Sequence, residues 1–430
     1  MDKWRSNESI FGVGGKKGKS TEHLRDAEIA LQQGKPSMAQ EHLRKAMKAD
    51  PTNLDALMLQ ASISSAPTLP ALRAIEKTGR KALLETLGPD AFDDDGESVG
   101  HYWGLIETRP YIRVLTALRE TCAMQNKWAE AVKWAVECLR LCPNDNLGVR
   151  EYLPLYLIYQ KRYLEALSFI MNWIDDEESP ERGGIDFQGK SASDYDPTLS
   201  GTSGARLRKN IEGGFDSFNI YNGARAAFEL YGDCEMSRCF LRTAAKINPY
   251  ILRRIVGRAD IPDDFCRHPR TVDGIDAAID YLYVGQRSWY TNEKVLDWMN
   301  NDRVTSKITR LLCSNPPCGK REATACSYQA CSKCKEVVYC SRNCQVSSNV
   351  HFGSPQAPTP RRCFLQVAHW KLPGDEGHKK KCKAVVDYQK QMETYSTTPG
   401  RAPNQMGDPP SGFPTNLLLD AMKAMGGGGI

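Results

Sequence analysis

The amino-acid sequence predicts a mainly α-helical chain in which paired helices repeat along the N-terminal part and a small cysteine-rich domain follows. Three observations carry that expectation. A frame of small residues recurs in helical-hairpin register, nine of the fifteen cysteines gather between Cys313 and Cys382, and the composition is that of an ordinary globular protein. The 430 residues are length enough for two to three domains. Charged residues make up 25% and hydrophobic ones 41%, which excludes full disorder. The 57 Lys and Arg against 52 Asp and Glu leave +5, too little to argue for a nucleic-acid binder or an acidic tail protein. No run of 18 apolar residues occurs, and Met1 to Lys19 has a charged start with no apolar stretch after it. The chain is therefore expected to be neither secreted nor membrane-spanning.

The repeat comes first, because it sets the register of everything after it. In the first segment Gly34 is followed at +5, +12 and +17 by Ala39, Ala46 and Pro51. The second reads Asn126, Ala131, Cys138, Pro143, and the fourth reads Gly232, Ser237, Ala244, Pro249. A third keeps Lys161 and Ala166 but places Trp173 at the second small position. Two packed helices require this frame: small residues let the axes approach, the turn residue separates them, and proline ends the second helix. The segments resemble tetratricopeptide repeats, with units near 20–53, 112–145, 147–180 and 218–251. His23 and Leu115 stand where that family has a large aromatic in the first helix. A set of plain amphipathic helices with small residues at their crossings is the alternative.

The remaining elements follow in chain order. Residues 1–19, which include the basic run GVGGKKGKS, are expected to be disordered. Leu69 to Leu87 reads as a helix, 88–100 as an exposed acidic loop, and 183–209 as a long mobile insertion. Apolar periodicity from Val272 to Leu312 predicts capping helices that close a repeat domain spanning 20–312. A short helical extension and a disordered tail are expected over 383–430. Cys122, Cys138, Cys234 and Cys239 are expected on helical faces as small buried apolar residues.

In the cysteine-rich segment the residues fall in four pairs. Cys313 and Cys318 are C-x4-C, Cys331 and Cys334 C-x2-C, Cys340 and Cys344 C-x3-C, and His378 and Cys382 H-x3-C. Eight ligands in four pairs make two four-coordinate zinc sites, because a tight turn or one helical turn aims two side chains at one ion. The order and flanks, CSKCKEVVYCSRNCQ, then HW, then GHKKKC, resemble the MYND-type zinc finger, here over 313–382. That resemblance implies an interleaved cross-brace: Cys313, Cys318, Cys340 and Cys344 on one ion, and Cys331, Cys334, His378 and Cys382 on the other. Cys326 competes for a place in the first pair, while Cys363 and His369 are not expected to be ligands. With every position taken by protein the two zinc ions are structural.

The same resemblance implies a protein-interaction module with a shallow groove for proline-containing peptides. Ser332, Gln345 and Trp370 match its groove positions. Ser332 is alternatively a turn residue, and Trp370 can also pack against the finger helix. The expected function is a cytoplasmic or nuclear adaptor that binds one protein partner on the repeats and another on the finger. From Cys313 to Lys390 thirteen Lys and Arg face five Asp and Glu, so a nucleic-acid-binding or transcriptional regulator is the rival. A SET-type lysine methyltransferase is less favoured, because no NHSC-type motif occurs, and neither HExxH nor GxSxG is present. No catalytic residue is assigned, and the seven histidines are expected to include no second cluster. Oligomeric state is not readable.

One segment breaks the finger's spacing. Gln345 and Trp370 are 25 positions apart, and removing 346–366 leaves CQVAHWKLPGDEGHKKKC, close to the family's spacing. The piece begins with Val-Ser and ends with Gln, residues whose codons can carry the two boundaries of a spliceosomal intron. A retained intron in a eukaryotic gene, or a genuine surface loop tolerated at small entropic cost, are the two readings.

Overall fold

The computed structural model describes residues 15–64, 69–175, 180–214, 216–260, 274–315, 318–332, 337–346, 383 and 386–387. The chain is mainly helical and divides into two compact units, Met1–Tyr195 and Asp196–Ile430. Expectations that fall on 1–14, on Cys334, Cys363, His369, Trp370, His378 and Cys382, on the rest of the 347–382 segment and on the tail after 387 lie outside the described residues.

The first unit holds α1 (Gly15–Gln32), α2 (Pro36–Ala49), α3 (Leu54–Ser64), α4 (Leu69–Leu87), α5 (Arg109–Met124), α6 (Trp128–Leu141), α7 (Leu153–Tyr159) and α8 (Tyr163–Asp175). Each of these helices packs against the next. The second unit contains α9 (Gly201–Gly213), α10 (Ser217–Tyr231), α11 (Glu235–Ile247), α12 (Pro249–Val256), α13 (Ile275–Trp289), α14 (Glu293–Asn301) and α15 (Thr305–Thr309). It then adds the strands β1 (Gln329–Ala330) and β2 (Val338–Tyr339) and the short helix α16 (Arg342–Val346). The cysteine-rich segment thus belongs to the same compact unit as the last helices.

The four segments of the small-residue frame each form two helices joined by a three-residue turn: α1/α2, α5/α6, α7/α8 and α10/α11. The first residue of each frame takes the left-handed conformation, with φ of 67° at Gly34, 57° at Asn126, 59° at Lys161 and 72° at Gly232. In the first three the amide after it reaches back to a carbonyl five residues earlier, Lys35 to Ala30, Lys127 to Cys122 and Arg162 to Leu157, at 2.8–2.9 Å. That bond satisfies a helix-end carbonyl and reverses the chain. The small residues at +5, namely Ala39, Ala131, Ala166 and Ser237, are completely buried. They sit where a larger side chain would push the two helix axes apart.

Several polar groups of the first unit pair between helices. Tyr111 donates a 2.6 Å hydrogen bond to Glu76, and Arg80 reaches both Glu76 and Glu137 while its guanidinium lies 3.9 Å from the centre of the Phe92 ring. Arg113 of α5 grips Asp55 of α3 with two hydrogen bonds.

Several expectations require correction. Helix α1 starts at Gly15, inside the stretch expected to be disordered, and Ser20 is buried with its hydroxyl donating to Ala46 O at 2.9 Å. The acidic loop 88–100 is anchored rather than free: Ala91, Phe92 and Ser98 are buried and Tyr102 donates to Ala91 O. The expected mobile insertion 183–209 contains most of α9. Its Gly- and Ser-rich composition conceals a helix held from outside, because the Asp196 carboxylate gathers Thr198 and Ser200, Arg208 pairs with Glu235 at 2.8 Å, and Ile211 is buried. Gly204 is required there, since a Cβ would stand 2.2 Å from the Leu199 carbonyl carbon. Cys122, Cys138 and Cys239 are buried, and burial pushes the thiols of Cys138 and Cys239 up to about 12 and about 11. Cys234 instead caps α11, its sulfur accepting from the Ser237 amide.

Gly223 of α10 packs on Phe240 of α11, and a Cβ at this position would lie 2.6–3.0 Å from three atoms of that ring. Gly223→Ala should destabilise the second unit, because overpacking costs about 1–3 kcal/mol and the gain in helix propensity offsets only about 1 of it. Faster amide hydrogen exchange in α10 and α11 is the expected reading.

Candidate metal centre

The centre is assembled from two short pieces of chain. After α15 the backbone forms an antiparallel bridge between Leu312 and Arg321, and Cys313 N donates to Lys320 O at 2.8 Å. This bridged loop carries Cys313 and Cys318, and a 2.9 Å bond from Cys318 N to Asn315 O shapes its tip. The second piece is β2 followed by α16. Cys340 leaves the strand and Cys344 lies in the first turn of the helix, where Ser341 accepts from the Cys344 amide. Two hydrogen bonds join the pieces, Ser314 N to Val338 O at 2.9 Å and Val338 N to the Ser314 hydroxyl at 3.1 Å.

The result is a convergence of Cys313, Cys318, Cys340 and Cys344, whose four sulfurs all lie within 4.8 Å of one another. Cys318 and Cys340 are 3.5 Å apart, and Cys340 and Cys344 3.4 Å. Four sulfurs each about 2.3 Å from a tetrahedral ion stand roughly 3.8 Å apart, so the spacing fits a metal and is far from the length of a disulfide. The donor set, four soft thiolates with no carboxylate, suits zinc.

Thiols this crowded cannot ionise independently. Burial, together with hydrogen bonds to Cys344, Cys318 and Cys313, holds Cys340 protonated up to about 12. Burial also raises Cys344, yet Asn315, Cys340, Ser341 and Cys318 outweigh it and bring this thiol down to about 7. Asn315 is fully buried, and its side chain is among the groups that bring Cys344 down. A divalent cation would replace the shared protons and relieve the crowding.

Among the described residues little apolar material surrounds the sulfurs. Val337 and Tyr339 are buried with Cys313, Cys331 and Cys344, and Tyr328 and Val386 pack on them. Cys331 ends β1, with its amide donating to Val337 O at 2.8 Å, and its sulfur is not part of the four-thiol group. Cys334, His378 and Cys382, its expected companions, lie outside the described residues, as does Trp370. Ser332 is exposed and Gln345 is half-buried on α16. Cys326 stands apart from the four thiols: its sulfur faces Arg253 O at 3.6 Å.

What seats the centre has no motif in the sequence. Glu322, one residue beyond the bridge, is buried and forms an ion pair with Arg253 of α12. Both carboxylate oxygens of Glu322 and both terminal nitrogens of Arg253 are hydrogen-bonded. Glu322 also accepts from Leu311 N at 2.8 Å and Tyr328 N at 3.0 Å, and Arg253 also donates to Thr309 O. Gly257, just past α12, allows the approach, because a Cβ there would meet Ala325 O at 2.9 Å.

Two outcomes follow from this geometry. Cys318→Ser should lower the metal bound by the full chain and Cys326→Ser should leave it unchanged, as read by elemental analysis. Glu322→Ala should destabilise the second unit by about 3–5 kcal/mol, since Arg253 is left buried without a counter-charge. The double replacement Arg253→Met with Glu322→Leu should recover most of that loss, and a double-mutant cycle on denaturation midpoints measures the coupling.

Comparison of the chain with protein-family models, with curated proteins and with solved structures finds no match, so the centre is read from its own donor set and its seat.

Proposed function

We propose that the chain is a zinc-binding protein-protein interaction adaptor, with tetratricopeptide-like helical repeats and a MYND-type finger each holding a protein partner. The observation that carries this reading is the four-thiol centre. Four protein sulfurs fill a tetrahedral ion, leaving no position for water or substrate, so the metal acts as a cross-link and not as a catalyst. On this reading a second zinc takes Cys331, Cys334, His378 and Cys382, and Ser332, Gln345 and Trp370 hold a proline-containing peptide. The burial of Cys331 and the exposure of Ser332 are in keeping with those roles.

No disulfide joins the cysteines among the described residues, which suits a reducing compartment such as cytoplasm or nucleus. No helix among the described residues is long and apolar enough to cross a membrane. The adaptor gains avidity when both of its partners belong to one complex, because the second contact becomes intramolecular.

The cysteine-rich segment should contribute about two ions to the zinc bound by the purified chain, four ligands to each. Cys340→Ser and Cys331→Ser should each lose at least one ion while α1 to α8 keep their protection from hydrogen exchange. Affinity capture with the wild-type chain should retain proteins that Cys340→Ser no longer holds. Tight binding to DNA or RNA that weakens steeply with salt would favour the nucleic-acid regulator instead, since phosphate contacts release counterions. Methyl transfer to a protein by the purified chain would displace both.

A further inference from the structure

The first helical pair brings together three metal-binding side chains that the sequence keeps apart. His23 and Asp26 lie three residues apart on one face of α1, and His42 comes from α2. The expectation that the histidines include no second cluster is therefore corrected by the fold. The reason is the small-residue frame. Ala27 and Ala30 on α1 and Ala39 and Ala46 on α2 are buried in one core with Leu43. His23 stands one helical turn before Ala27, and His42 stands between Ala39 and Ala46 on the same face of α2. Alanines bring the two axes close, and the histidines at the margin of the seam are carried into reach of each other.

The donor atoms of the three residues lie within 4.8 Å of one another. The Asp26 carboxylate is 3.5 Å from His42 Nδ1 and 4.0 Å from His23 Nδ1, too long for hydrogen bonds. Both Nδ1 atoms are buried and have no hydrogen-bond partner. Two buried ring nitrogens facing one carboxylate without bonding to it leave polar capacity unused, which folded proteins rarely tolerate. An ion about 2.1 Å from three ligand atoms holds them roughly 3–4 Å apart, close to the separations found.

We propose that His23, Asp26 and His42 form a divalent transition-metal site, occupied by zinc, that clasps α1 to α2. The site is separate from the cysteine centre. Two imidazoles and one carboxylate occupy three positions of the ion, and the side chains are about a quarter to a half exposed, so a water or a small anion completes the shell.

The test uses the full-length chain equilibrated with buffered free zinc and compares bound zinc per chain by elemental analysis. His23→Gln, Asp26→Asn and His42→Gln should each bind one ion fewer than the wild type, while His101→Gln, at an exposed turn, should bind the same number. Cobalt loading distinguishes this site from the thiolates. The wild-type minus His42→Gln difference spectrum should show visible bands of a nitrogen and oxygen site without thiolate-to-cobalt charge transfer. Zinc should also slow hydrogen exchange in α1 and α2 of the wild type and not of His42→Gln, with circular dichroism of the two proteins unchanged. Equal zinc content in all variants, or a difference spectrum carrying the thiolate band, would overturn the proposal and leave the three residues as a metal-independent ion-pair cluster.

Discussion

The buried ion pair between Arg253 and Glu322 is the contact on which the C-terminal part of the molecule depends. Removing two charges from water is costly, and the cost is met only when every donor and acceptor finds a partner. Here the surrounding backbone supplies them: Leu311 N and Tyr328 N point at the carboxylate, and Thr309 O receives the guanidinium. Because these groups come from both sides of the bridged loop, the pair forms only when α12, the end of α15 and the start of the cysteine segment are already in register. It therefore specifies position more than it adds stability. Helix α12 is well placed for this, since it also packs against α11, α13, α14 and α15.

The cysteine segment shows why such a seat is needed. Among the described residues its buried apolar content is a handful of side chains around Tyr339, too few to order a fold of this size by burial alone. Four sulfurs that repel when ionised and crowd when protonated would be a liability without a cation. Bridged by one, they join the loop after Leu312 to the start of α16, where a hydrophobic core would otherwise be required. The ion-pair seat holds the segment from outside, and a metal on the four thiols would hold it from within.

The helical part rests on a different economy of contact. Its pairs close over alanine, serine and cysteine, and each turn passes through a left-handed residue, whether glycine at Gly34 and Gly232 or a side-chain-bearing residue at Asn126 and Lys161. Close approach brings the side chains beside the seam within reach of one another. In the first pair the flanking residues are His23, Asp26 and His42, and in the first unit at large they are the paired Glu76, Tyr111 and Arg80.

Local patterns were legible before any coordinates. The turn positions, the buried small residues and the pairing of cysteines by short spacing all depend on neighbours a few residues away, and a helix or a tight turn converts that spacing directly into geometry. What stayed hidden depends on residues far apart in the chain. Helix α9 has the composition of a loop and is held by Asp196 and Glu235, and Ser20 belongs to α1 because Ala46 receives its hydroxyl. By spacing Cys318 is the favoured partner of Cys313 and Cys326 its competitor, and the bridge from Leu312 to Arg321 turns Cys318 toward the other three sulfurs while Cys326 lies against Arg253. Nothing in the sequence distinguishes Glu322 from any surface glutamate, or His42 from any helical histidine. Periodicity records which face of an element is buried, but the partner it is buried against is chosen by packing over the whole unit, and that choice is made only in three dimensions.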